Sequence, residues 1–125
     1  MKTIKVSEAT PQQLNWLVAK CEGVAITKFR ESPSLFFGGG FDKYAPSTNW
    51  EQGGPILDKE RIGTTPFTIT VGPDKGTKEW FANYESFVDV TPNYYSGPTK
   101  LIAGMRCYVS SKLGDEVEVP EELCK

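Results

Sequence analysis

The chain has 125 residues, of which 38% are hydrophobic and 12% aromatic, and its formal net charge is −2. That length fits one domain, residues 1–125, with a core built on aromatics, and no apolar run approaches the roughly 18 residues needed to cross a bilayer. The Lys and Arg residues are scattered rather than clustered, so a nucleic acid is not the expected partner.

Three cysteines at wide spacing and no histidine argue against a disulfide framework or a structural zinc site, and for a reducing cytoplasm. Residues 1–13 contain no apolar signal-peptide core, so the protein is expected to remain where it is made.

Thr10 can cap a helix, Pro11 suits its first position, and Gln13 completes a capping box. Leu14, Leu17, Val18 and Cys21 follow at helical spacing and Gly23 ends the run, which predicts a helix over 10–22. Trp16 lies off that stripe. Residues 24–30 read as a strand, broken at Ser32 and Pro33. Leu35, Phe36 and Phe37 start another, running into Gly38, Gly39 and Gly40. That triple glycine has neither the GxGxxG nor the Walker spacing, and a hairpin or surface loop accounts for it better than a phosphate loop.

Thr48 with Glu51 forms a second capping box, which predicts a helix over 48–61, bent or divided at Gly53 and Gly54. Residues 67–71 alternate as a strand should, Gly72 to Gly76 supply a turn, and 79–84 form the antiparallel partner, with 87–90 as an extension. The last helix, 98–113, carries Leu101, Met105, Val109 and Leu113 in one stripe and ends at Gly114. An extended segment, 116–120, follows within an acidic C-terminal tail, 115–125, whose default reading is a solvated terminus. The expectation is an α+β domain with three helices packed on a small antiparallel sheet that includes 24–30, 67–71 and 79–84.

The most suggestive local chemistry lies between Tyr44 and Gly54. A helix start at Ser47, Thr48 and Asn49 presents N–H groups and a positive dipole end to an anion. Tyr44 and Trp50 can stack on a flat ring, and Gly53 and Gly54 would let a ligand approach the backbone. The plainer account is that Ser47 and Thr48 cap the helix while Trp50 fills the core, as such residues usually do. Thr99, beside Gly97, marks a second helix start of the same kind. Arg106, between apolar neighbours, either reaches an acidic group or lies along the helix edge with its head in water.

Catalysis has little support. Without histidine, acid–base work falls to carboxylates, Lys, Tyr or Cys, and no Ser sits in a GxSxG elbow. Asp42, Asp58 and Glu60 have a solvated face as their default role.

Two stretches, Tyr44 to Ile56 (YAPSTNWEQGGPI) and Gly97 to Leu123 (GPTKLIAGMRCYVSSKLGDEVEVPEEL), resemble the signatures of the NinX-like family of bacteriophage proteins. Leu14 to Gly23 (LNWLVAKCEG) resembles that family's first helix. The likeness covers most of the chain in the right order and is least detailed over residues 59–93. Asn49 stands where the family's signature more often carries Asp, and the loss of that charge weakens an acid–base role there. The resemblance implies a phage or prophage accessory gene expressed in the bacterial host cytoplasm. It also implies kinship with small phage proteins described as α-β-α sandwiches, and it supplies no activity.

The functional expectation is a non-enzymatic accessory protein, without cofactor or metal, that binds a small anionic, nucleotide-like ligand at Tyr44, Ser47, Thr48, Asn49, Trp50, Gly53, Gly54, Thr99 and Arg106. By analogy with other short phage proteins, it would sequester a host defence signal. One rival is a protein-interaction module contacting a host or phage enzyme through Tyr94, Tyr95 and the acidic tail. The other is a carboxylate-dependent enzyme acting on a nucleotide or nucleic acid. The sequence leaves the oligomeric state open, a homo-oligomer included.

Overall fold

A computed structural model describes residues 1–24, 26–28, 35–37, 43–84 and 94–124. In chain order the elements are β1 (Lys2–Lys5), α1 (Pro11–Glu22), β2 (Ile26–Lys28), β3 (Leu35–Phe37), β4 (Lys43–Tyr44), α2 (Trp50–Glu60), β5 (Ile62–Thr68), β6 (Lys78–Tyr84), β7 (Tyr94–Gly97), α3 (Lys100–Leu113) and β8 (Glu116–Val119). Short 3₁₀ turns cover Val6–Glu8 and Glu121–Cys124. The fold is α+β, and every pairing among the described strands is antiparallel.

The three helices begin where their caps dictate. At α1, Thr10 Oγ1 accepts from the Gln13 N–H at 3.3 Å, and Gln13 Oε1 accepts from the Thr10 N–H at 2.9 Å. This is the reciprocal capping box, with Pro11 at the first helical position. Gly23 closes the helix at φ 69, a left-handed conformation that favours glycine. At α3, Thr99 Oγ1 accepts from Ile102 N–H at 3.1 Å.

The cap of α2 is Asn49 rather than Thr48, its side chain accepting from Glu51 N–H at 2.9 Å. The reason is the turn before it. The N–H groups of Thr48 and Asn49 both donate to the Ala45 carbonyl, at 3.1 and 2.7 Å, which holds Thr48 outside the helix. The helix then runs unbroken through Gly53, Gly54 and Pro55, so it is not divided at the glycine pair.

The described strands are divided among three small sheets rather than gathered in one. Among the described residues they are ordered β1-β8, β2-β3-β4 and β5-β6-β7, and there residues 26–28 pair with β3 rather than with β5 or β6. The strand predicted over 67–71 begins earlier, at Ile62, and pairs with β6 from Ile62↔Tyr84 to Thr68↔Lys78. Lys78 to Tyr84 places the second strand close to where alternation put it. The extension expected at 87–90 and the triple glycine at 38–40 lie outside the described residues.

Residues 116–119 of the acidic tail form β8, solvated on one face and anchored on the other. Its glutamates face solvent, while Val117 and Val119 are buried and the strand pairs with β1 in the register Lys5↔Glu116 to Lys2↔Val119. Alternation of period two therefore anchors this end of the chain on β1.

α3 is central. It packs against α1, α2 and all three strands of the β5-β6-β7 sheet. Leu101, Ile102, Ala103, Met105, Cys107, Tyr108 and Val109 are all buried, which is the pattern of a helix enclosed on most sides. Leu14, Leu17 and Val18 of α1 join this core. Leu113, the fourth member of the predicted stripe, is 36% exposed. It stands in the last turn, one residue before the chain turns away at Gly114.

Candidate functional site

The turn Ala45–Ser47 is wedged between the start of α1 and the start of α2, and its polar groups are satisfied there. Ser47 is fully enclosed. Its N–H donates to Asn15 Oδ1 at 3.0 Å, and its hydroxyl lies 2.7 Å from Asn15 Oδ1 and 3.0 Å from the Pro11 carbonyl oxygen. Ser47 is thus a tie to α1 and not a helix cap. Gln52 completes the arrangement. Its Oε1 accepts from Ala45 N–H at 2.6 Å, and its Nε2 donates to the Lys43 carbonyl at 2.8 Å. The signal for Gln52 was present as Asn49-x-x-Gln52, a capping-box spacing whose second member reaches back past the cap to the preceding turn.

Three further members of the predicted segment, Tyr44, Gly53 and Gly54, turn inward. Tyr44 is buried in the core, and burial, with the nearby Glu22 and Cys21, pushes its hydroxyl far above the usual tyrosine range. It offers no free ring face. Gly53 is glycine because of packing: a Cβ there would stand 2.1 Å from the Pro46 carbonyl oxygen and 2.8 Å from Leu101 Cδ2. Gly54 lies beneath the Trp50 indole, whose Cε2 and Nε1 would be 3.2 Å from an added Cβ. Neither glycine therefore leaves its backbone open to a ligand.

Trp50 itself is 54% exposed. It does not fill the core; it lies back along its own helix over Gly54 and keeps surface in solvent. Beside it, Ser47, Thr48, Trp50, Thr99, Lys100 and Leu101 line an open concavity of about 450 Å³. The fold thereby joins the two helix starts that the sequence marked separately, those of α2 and α3. Both ends carry the partial positive charge of a helix N-terminus. The donors nearest to them are already engaged: Glu51 N–H by Asn49, Ile102 N–H by Thr99, and Thr48 N–H by Ala45.

Arg106 is not among the residues lining this concavity. It sits about half-buried on α3, and its guanidinium donates to the Ser96 carbonyl at 2.8 Å and the Ala9 carbonyl at 2.9 Å. Among the described residues its hydrogen bonds go to backbone carbonyls rather than to an acidic group. Burial lowers its pKa, opposed by the charge of Glu79. Its Nε is enclosed without a hydrogen-bond partner.

The cation lining the concavity is Lys100, which no motif in the sequence singles out. Its ammonium lies 5.5 Å from the Trp50 ring centroid and 5.2 Å from that of Trp80 on β6. Its position directly after the Thr99 cap was the available signal. The proximity of Trp80 had none, because it depends on how β6 meets α3.

The surface proposed for protein contacts is engaged differently. The Tyr95 hydroxyl meets both Ser110 and the Asp115 carboxylate, and the Tyr94 side chain lies outside the described residues. Among the described residues no cluster of three metal-ligating side chains occurs, and no helix is long and apolar enough to cross a membrane.

The family model described as Bacteriophage P22, NinX matches residues 5–112. No curated protein matches the chain. The matched residues include α1, α2, the β5-β6-β7 sheet and all of α3 but its last residue, and with them every side chain lining the concavity. The chain belongs to the Bacteriophage P22 NinX family.

Proposed function

We propose that this phage protein acts in the host cytoplasm by binding a small, flat, anionic molecule of nucleotide type at the concavity between the starts of α2 and α3. The observation that carries this reading is the exposed indole of Trp50 beside the Lys100 ammonium, at a hollow toward which two helix N-termini converge. A ring stacks on indole, and an anion is favoured by a lysine and by helix N-terminal charge. Thr48 and Thr99 supply hydroxyls at the rim. Tyr44, Gly53 and Gly54 hold the site's framework, and Arg106 secures α3 behind it. The described residues that line this place include no carboxylate, cysteine or histidine to act as a general base, so binding rather than turnover is the activity the site supports, and sequestering a host signalling molecule is the use a phage would have for it.

Calorimetric titration with a panel of mononucleotides and cyclic nucleotides tests the reading. Saturable binding lost in Trp50→Ala supports it, and a panel without any heat of binding rejects it.

One observation favours a second reading. A tryptophan more than half exposed is the residue type that anchors protein interfaces. Under this reading Trp50 docks on a host or phage protein, and a pull-down from infected cells recovers that protein with the native chain but not with Trp50→Ala.

A further inference from the structure

The Lys100 ammonium lies within reach of two aromatic faces from different elements, Trp50 at the first position of α2 and Trp80 in β6. Both distances fall inside the roughly 6 Å range over which a cation is attracted to a ring face. No carboxylate pairs with Lys100 among the described residues. An indole face is a weaker partner for an ammonium than an anion is. The lysine is therefore a charge held by rings, at the edge of a hollow that it also lines.

We propose that Lys100 is both a built-in competitor and the anion clamp of this site. In the free protein its ammonium occupies the ring surface that a ligand's flat ring needs. On binding, the ring takes that surface and the displaced ammonium turns to the ligand's phosphate. This rests on the nucleotide-type reading above and narrows it: the ligand must carry ring and anion in one molecule. A ring alone has to expel the lysine from the indoles without giving it a new partner. An anion alone draws the lysine away and leaves the rings bare.

The consequence is an inversion of sign. Removing the ammonium should help a nucleoside and harm the corresponding nucleotide, whereas a lysine that merely supported the local packing would affect both in the same direction.

The experiment uses the full chain and Lys100→Met, which keeps an apolar stem without the charge, with Lys100→Gln as a second variant. Folding of each is checked by its melting transition. Adenosine, adenosine monophosphate and inorganic phosphate are titrated against each protein, with tryptophan emission as the readout. The native protein should bind the monophosphate at least about tenfold more tightly than adenosine or phosphate. Both variants should bind adenosine more tightly than the native protein does, and the monophosphate about tenfold more weakly. If the variants bind adenosine no better than the native chain while the monophosphate still binds the native protein, the competitor role is overturned and the binding site stands. If none of the three probes binds the native protein, this inference falls together with the reading beneath it.

Discussion

The Tyr108 hydroxyl on α3 donates a 2.6 Å hydrogen bond to Glu22 Oε2 at the end of α1. The Lys59 ammonium on α2 reaches the same carboxylate at 3.0 and 3.1 Å, so one acidic side chain ties the three helices together. Lys112 and Glu60, 3.2 Å apart, add a second bridge between α3 and α2.

This arrangement predicts a pH dependence. Partial burial pushes the Glu22 carboxyl up, but the hydrogen bonds from Tyr108 and Lys59 and the charges of Lys59 and Lys112 outweigh it and hold it below the usual carboxylate range. A carboxyl depressed in the folded state contributes stability above its unfolded pKa of roughly 4.3 and loses it as pH falls through the folded value. Melting temperature should therefore fall more steeply below about pH 4.3 in the native protein than in Glu22→Gln. Parallel acid limbs in the two proteins would remove Glu22 from this role. Tyr108 acts at the other extreme. Burial, then Glu22, raise its hydroxyl above the usual range, so its contribution is fully present below about pH 10 and is lost progressively as pH rises from there through the raised folded value.

The tie between Ser47 and Asn15 should be worth more to stability than either residue's exposure on a hydropathy plot suggests. Asn15→Ala leaves the buried Ser47 N–H without its acceptor and should cost about 1–3 kcal/mol. Ser47→Ala keeps the N–H bond and loses only the hydroxyl, about 0.5–1.5 kcal/mol. Urea denaturation of the two variants measures both. An Asn15→Ala chain as stable as the native one would show that the contact is not formed in solution.

Gly53→Ala separates packing from helix propensity. In an open helix the change favours the helix by about 1 kcal/mol. Here the new methyl meets the Pro46 carbonyl oxygen, a backbone atom held in the 45–48 turn. Strain of about 1–3 kcal/mol should outweigh the gain and lower the melting temperature. A higher melting temperature would mean that α2 does not approach the turn so closely.

The start of α2 can be assigned by two substitutions. Asn49→Ala removes the cap and should cost about 0.5–2 kcal/mol, while Thr48→Ala, one residue outside the helix, should stay within about 0.5 kcal/mol of native. Calorimetric melting of both proteins decides between them, and the reverse order would restore Thr48 as the cap.

The positions and types of the three helices were determined by the sequence itself, because caps, helical periodicity and terminal glycines act between residues only a few positions apart. Thr10, Gln13, Thr99, Gly23 and Gly114 do in space what their spacing implies. The alternation at residues 79–84 located β6 for the same reason. Tertiary structure alone decided the division of the described strands into three sheets and the pairing of β1 with the distant β8. It also decided which side of each polar residue is occupied. Ser47 turned inward because Asn15 lies across from it, and Tyr44 was drawn into the core. Asn49 displaced Thr48 as the cap because the Ala45 carbonyl had already claimed both backbone donors. The hollow beside Trp50 belongs to the same class. It needs α2 and α3 to begin side by side and β6 to bring Trp80 near Lys100, and contacts between residues so far apart in the chain depend on the packing of whole elements, which no local pattern encodes.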